Sequence, residues 1–116
     1  MARNSGNNPI DSERRRYPRL PIEIKFFCKS PSPVEGDGLL HFYSRDLSCG
    51  GVFLKGKTNL APGNVLHLDF KLPEHDQTIS VSGVVIRATE EGMGIRFLTL
   101  NINEFEMVED FINEII

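Results

Sequence analysis

The 116-residue sequence predicts an all-β domain with a terminal helix: a six-stranded antiparallel β-barrel followed by a C-terminal α-helix. Three observations carry this. Apolar and polar residues alternate with a period of two in short runs between residues 22 and 97, the pattern of strands with one buried face. Turn-forming residues separate the runs at short, regular spacing, which favours a closed barrel. Only beyond residue 100 does the apolar period lengthen to that of a helix.

Taken in order, residues 1–12 (MARNSGNNPIDS) have almost nothing to bury. They are expected to form a disordered lead-in to a domain spanning 13–116. An arm follows over residues 13–20. Pro18 and Pro21 disfavour helix at Tyr17 and Leu20, so the arm reads as extended. The barrel is expected over 21–100. Ile22, Ile24, Phe26 and Cys28 alternate with Glu23, Lys25, Phe27 and Lys29 as a first strand. Adjacent Phe26 and Phe27 cannot share a face, so one is expected to be partly exposed or packed under another element. Residues 30–38 contain two Pro and two Gly and read as a loop. Strands are expected over 39–46, 51–55, 66–72, 78–89 and from 93, with a turn at Ala61-Pro62-Gly63-Asn64. Asn103, with Glu106 three residues on, reads as the cap of a helix over 103–116. Phe105, Val108, Ile112 and Ile115 would face the barrel.

Composition excludes several function classes. No stretch approaches the ~18 consecutive apolar residues of a membrane span, and residues 1–19 contain no apolar signal region. A cytoplasmic protein without membrane insertion is expected. Cys28 and Cys49 form no CxxC pair and read as free thiols. His41, His67 and His75 with the two Cys give no zinc spacing. No glycine-rich phosphate loop or nucleophile elbow occurs. The expectation is therefore no enzyme, no catalytic residue, no metal and no cofactor. The net charge of −3 argues against nucleic acid as a partner. The positive charge is local: residues 1–19 carry five Arg against Asp11 and Glu13, whereas residues 101–116 carry five acids and no base. An arm so charged suits a small anionic ligand.

Two motifs carry chemistry. In Arg14-Arg15-Arg16-Tyr17-Pro18-Arg19, planar guanidinium groups can grip phosphate oxygens in pairs and stack on flat rings. They can also bond the O6 and N7 edge of guanine. The simpler alternative is a solvated basic tail. In Asp46-Leu47-Ser48-Cys49-Gly50-Gly51, a carboxylate can accept two hydrogen bonds from the donor edge of guanine, and a hydroxyl can donate or accept. Gly50 and Gly51 permit close approach. The simpler alternative here is a β-bulge or a serine-stabilised turn. Together, the motifs fit a ligand that has both phosphates and guanines.

Arg15-x-x-x-Arg19 followed by Asp46-x-Ser48-x-x-Gly51 resembles the two-part signature of PilZ domains, bacterial receptors for cyclic di-GMP. Asp46–Leu54 is similar to the core block of that family, and Gly92-Met93-Gly94-Ile95-Arg96-Phe97 to its last barrel strand. The resemblance runs from about Glu13 to the C-terminus. It implies the barrel and helix already read from the pattern, and a cyclic di-GMP site. In it, Arg15 and Arg19 contact phosphate and guanine, Asp46 accepts from a guanine edge, Ser48 bonds to the ligand, and Gly50 and Gly51 leave room for it. Arg14 and Arg16 flank the motif. The residue just before the first arginine, here Arg14, is thought to affect whether one or two ligand molecules bind. The implied protein is a monomer or weak homodimer that orders its arm on the ligand and contacts an effector protein. An adaptor that binds no nucleotide is the alternative.

Overall fold

The computed structural model describes residues 17–30 and 39–116. The lead-in expected over residues 1–12 and the arm residues 13–16 lie outside the described residues, Arg14, Arg15 and Arg16 among them. Among the described residues the elements are β1 (Leu20–Pro21), β2 (Lys25–Lys29), β3 (Leu39–Leu47), β4 (Gly51–Lys55), β5 (Val65–Phe70), β6 (Ile79–Ala88), β7 (Gly92–Phe97) and the helix α1 (Ile102–Ile115). All pairings among the strands are antiparallel. The order β3-β2-β5-β6-β7-β4 returns to β3 through a β3–β4 pairing, so six strands close a barrel.

β1 is a two-residue addition that continues the edge of β2 along β3. Ser44 bridges the break between them. Its buried hydroxyl accepts from Ile24 N at 2.9 Å and donates to Ile22 O at 2.5 Å. Those backbone groups leave the strand ladder without losing their partners, as buried polar groups require.

The period-two pattern sorts the side chains as expected. In β2, Phe26 and Cys28 are buried while Lys25, Phe27 and Lys29 are exposed. Of the two adjacent phenylalanines, Phe27 is the exposed one. Phe26 stacks on Phe70 at 4.3 Å, in a core shared with Val52, Leu54, Leu68, Val81, Met93 and Ile95. Two register shifts interrupt the pattern, one in β3 between Ser44 and Asp46 and one in β6 between Val85 and Arg87.

The helix cap lies two residues before the expected one. Asn101, not Asn103, accepts from Glu104 N at 2.8 Å, and the Glu104 carboxylate accepts from Asn101 N at 3.3 Å. The sequence holds two overlapping boxes of the same spacing. The first is in use, and Val108, Phe111 and Ile112 face the barrel core. Ile115, expected in the apolar stripe, is instead exposed at the last turn, and Phe111 takes the buried place.

Candidate functional site

Antiparallel pairing of β1 with the end of β3 sets Leu20 opposite Leu47 and Pro21 opposite Asp46. Arg19 therefore leaves the sheet beside Asp46. Its Nε and Nη2 lie 2.8 and 2.7 Å from Asp46 Oδ1. Residues 27 apart in sequence, one from each motif, thus meet in a charge-assisted pair. Arg45 Nε donates to the other oxygen, Oδ2, at 3.0 Å. A carboxylate has roughly four acceptor directions. Three contacts to it leave acceptor capacity on Oδ2.

The register shift in β3 explains why Arg45 and Asp46 can act together. Ser44 faces Leu54 and Asp46 faces Phe53, so Arg45 is an extra residue on β3. A bulge re-aims the side chains around it. Arg45 and Asp46 consequently both reach outward, although a regular strand would alternate them. The Arg45 guanidinium carbon lies 3.8 Å above the centre of the Phe53 ring, and that of Arg87 lies 5.7 Å from it. Phe53 is buried yet stands apart from the barrel core, on the outer side. Across β4 and β7, Gly51 pairs with Arg96. Among the described residues neither Arg87 nor Arg96 lies within salt-bridge distance of a carboxylate. Arg19 and Arg45 thus bind the Asp46 carboxylate, Arg87 lies near the same Phe53 ring as Arg45, and Arg96 stands on β7 opposite Gly51, so the region is cationic on a chain of net charge −3.

Ser48 is buried and its hydroxyl serves its own turn. It accepts from Gly50 N at 3.1 Å and Gly51 N at 3.2 Å, and Ser48 N donates to Gly51 O at 2.9 Å. This is the serine-stabilised turn that the sequence allowed as the simpler alternative. Gly50 donates no side chain because the Tyr17 ring covers it: an added Cβ would come within 3.2 Å of Tyr17 Cδ2. Gly51 has a reason different from ligand room. A Cβ there would meet Ile95 O at 2.2 Å, so only glycine lets β4 lie this close to β7.

The described end of the arm also touches the helix. Tyr17 meets Phe105 edge to face, with ring centres 5.7 Å apart. Beneath them, Cys49, Glu109, Ile112 and Asn113 line a cleft of about 500 Å³. Burial first, then the nearby Glu109 charge, pushes the Cys49 thiol up to about 11. Burial, with Asp69 second, pushes Cys28 up to about 12. Both cysteines are free, and neutral buried thiols are poor nucleophiles. Among the described residues no group of His, Cys, Asp and Glu could hold a metal ion. No described helix is long and apolar enough to cross a membrane.

Arg45, Phe53, Tyr17 and Ser44 were not among the expected site residues. Tyr17 lies inside the arginine motif and Phe53 inside the Asp46–Leu54 block. Arg45 and Ser44 depend on a bulge and a strand break that a period-two reading does not show.

The described residues thus form a closed six-stranded barrel with a short strand leading in and a helix leading out, and an arginine paired to the loop aspartate. The PilZ domain family profile matches residues 13–114, and the chain belongs to that family. No curated protein sequence matches significantly. Solved structures agree on the fold. The Bacillus subtilis inhibitor of motility MotI/DgrA superposes with a TM-score of 0.71 at 20% identity, over 87% of this chain and 51% of that one. The PilZ domain of YcgR from Escherichia coli, solved with c-di-GMP, gives 0.67 at 18%, over 87% and 90%. The PilZ domain of CeSA from a cellulose-synthesizing bacterium gives 0.63 at 18%, over 84% and 96%. The chain thus spans about half of MotI/DgrA but nearly all of the two isolated PilZ domains.

Proposed function

We propose that this protein is a non-catalytic receptor that binds cyclic di-GMP between the arginine arm and the Asp46–Gly51 loop, and passes the signal on through a protein contact. The observation that carries this reading is the Arg19–Asp46 pair, which joins the two motifs at 2.7 Å. One group can grip phosphate or the acceptor edge of guanine, and the other can receive the donor edge of guanine. Arg87 and Arg96, which among the described residues have no carboxylate within salt-bridge distance, add positive charge, as a doubly anionic ligand needs. Arg15 would join Arg19 in holding the ligand, flanked by Arg14 and Arg16. A neighbour solved with c-di-GMP supports the same ligand class.

The output would run through Tyr17. Its ring sits on Gly50 and against Phe105 of α1, so a ligand that repositions the arm changes the surface made by arm and helix. An effector protein reading that surface in the cytoplasm is the partner we propose.

One observation favours the alternative, an adaptor that binds no nucleotide: Asp46 already has both oxygens occupied by Arg19 and Arg45. Titration calorimetry separates the two. The receptor gives saturable heat with cyclic di-GMP and none with GTP or a short RNA. The adaptor gives none with any of the three.

A further inference from the structure

We infer that Arg45, outside the two-part signature, is a prebuilt stacking platform for a purine of the ligand. The inference rests on the cyclic di-GMP reading above and adds a residue to that site. Its guanidinium carbon lies 3.8 Å from the Phe53 ring centre. A guanidinium carbon this close to the centre of an aromatic ring makes a cation–π contact, in which arginine commonly stacks on the ring face.

Three features hold that plane in place before any ligand arrives. Phe53 is buried, so the floor is fixed. Phe53 is the cross-strand partner of Asp46, and Asp46 Oδ2 accepts from Arg45 Nε at 3.0 Å. The bulge at Arg45 directs its side chain outward over this floor. The side chain is 51% exposed, so the part of it not turned to Phe53 is within reach of a ligand. A flat, weakly hydrated cation is a surface on which a base stacks. Because the plane is already oriented, little side-chain entropy is lost when it does.

This divides the chemistry of the site between neighbours. Stacking is indifferent to base identity, since every base has a π-face. Asp46, which accepts hydrogen bonds, distinguishes guanine from adenine. Arg45 adds affinity, and Phe53 is the positioning residue that holds it flat.

Calorimetric titration of cyclic di-GMP into the full chain and into the Arg45→Lys and Arg45→Ala variants tests this. Arg45→Lys keeps the charge and removes the plane. Both variants should bind about tenfold more weakly, with the preference for cyclic di-GMP over cyclic di-AMP unchanged. In the unsubstituted chain, the Arg45 Nε–H resonance should move upfield as the ligand is added, because it lies under a purine ring. Unsubstituted affinity in Arg45→Lys, or no upfield shift, overturns the platform while leaving the receptor reading standing. No binding by the unsubstituted chain removes the receptor reading and the platform with it.

Discussion

Arg19 and Ser48 belong to the two halves of one site, but the barrel treats them differently. Ser48 is buried, and its hydroxyl and amide close a turn with Gly50 and Gly51. Gly51 beside it is pressed against the β7 backbone. The Arg19 side chain is half exposed and, among the described residues, is held by the Asp46 carboxylate. An exposed ion pair of this kind contributes only about 0–1 kcal/mol to stability. The loop half is therefore part of the barrel's own construction, whereas the arm half is available to a ligand. Mutations in the two halves should fail in different ways: loop changes should damage the fold, and arm changes should damage binding alone.

Gly51→Val should show the largest effect. The new side chain would start 2.2 Å from Ile95 O, and backbone of a paired strand cannot move aside cheaply. The cost should reach or exceed the ~3 kcal/mol upper end of ordinary overpacking, read as a lowered or lost thermal transition. A variant with unsubstituted stability would show that β4 and β7 can separate, and the contrast between loop and arm would weaken.

Arg19→Ala should do the reverse. Losing a charge-assisted hydrogen bond to the ligand costs roughly 1.5–3 kcal/mol, about ten- to a hundredfold in affinity for cyclic di-GMP. Its melting temperature without ligand should barely change. A large drop in melting temperature would make Arg19 a structural latch and favour the nucleotide-free adaptor.

Ser48→Ala should destabilise the fold by about 1–3 kcal/mol, since it leaves two amides short of an acceptor inside the loop. Denaturant midpoints measure this directly. If binding falls while stability holds, the hydroxyl contacts the ligand instead of its own turn.

The smallest effect should come from Tyr17→Ala. Without the ring over Gly50 and the cleft, Cys49 should react faster with a thiol reagent at pH 8 in the native protein. Cys28, held up to about 12 by burial in the barrel, should stay unreactive in both proteins. Equal reaction rates at Cys49 would separate the arm from the cleft and from the proposed route to the helix.

How far this contrast was legible in the sequence depends on the distance over which each feature is determined. The alternation of Phe26 and Cys28 with Lys25 and Lys29 is local, and it marked the buried face of β2. The Asp46–Gly51 turn is also local, and a serine-stabilised turn was one of its two sequence readings. The pairing of Arg19 with Asp46 required only that two motifs meet. The demand on Gly51 was not visible, because it comes from Ile95 on a strand paired far along the chain. Nor was the bulge at Arg45, since one extra residue leaves composition unchanged yet moves a side chain to the other face. The helix start was undecided locally: Asn101 and Asn103 head boxes of identical spacing, and the structure uses the first.

Amide hydrogen exchange along the full chain, with and without cyclic di-GMP, tests the central claim most directly. Ordering each arm residue costs about 1–2 kcal/mol of backbone entropy, which a doubly anionic ligand held by several guanidinium groups can offset. The account predicts slower exchange over residues 13–20 when the ligand is added. The Ser48 and Gly51 amides should be slow in both states, and the barrel strands little altered. An arm whose exchange does not change with ligand, or protection that appears on the barrel strands instead, would contradict it.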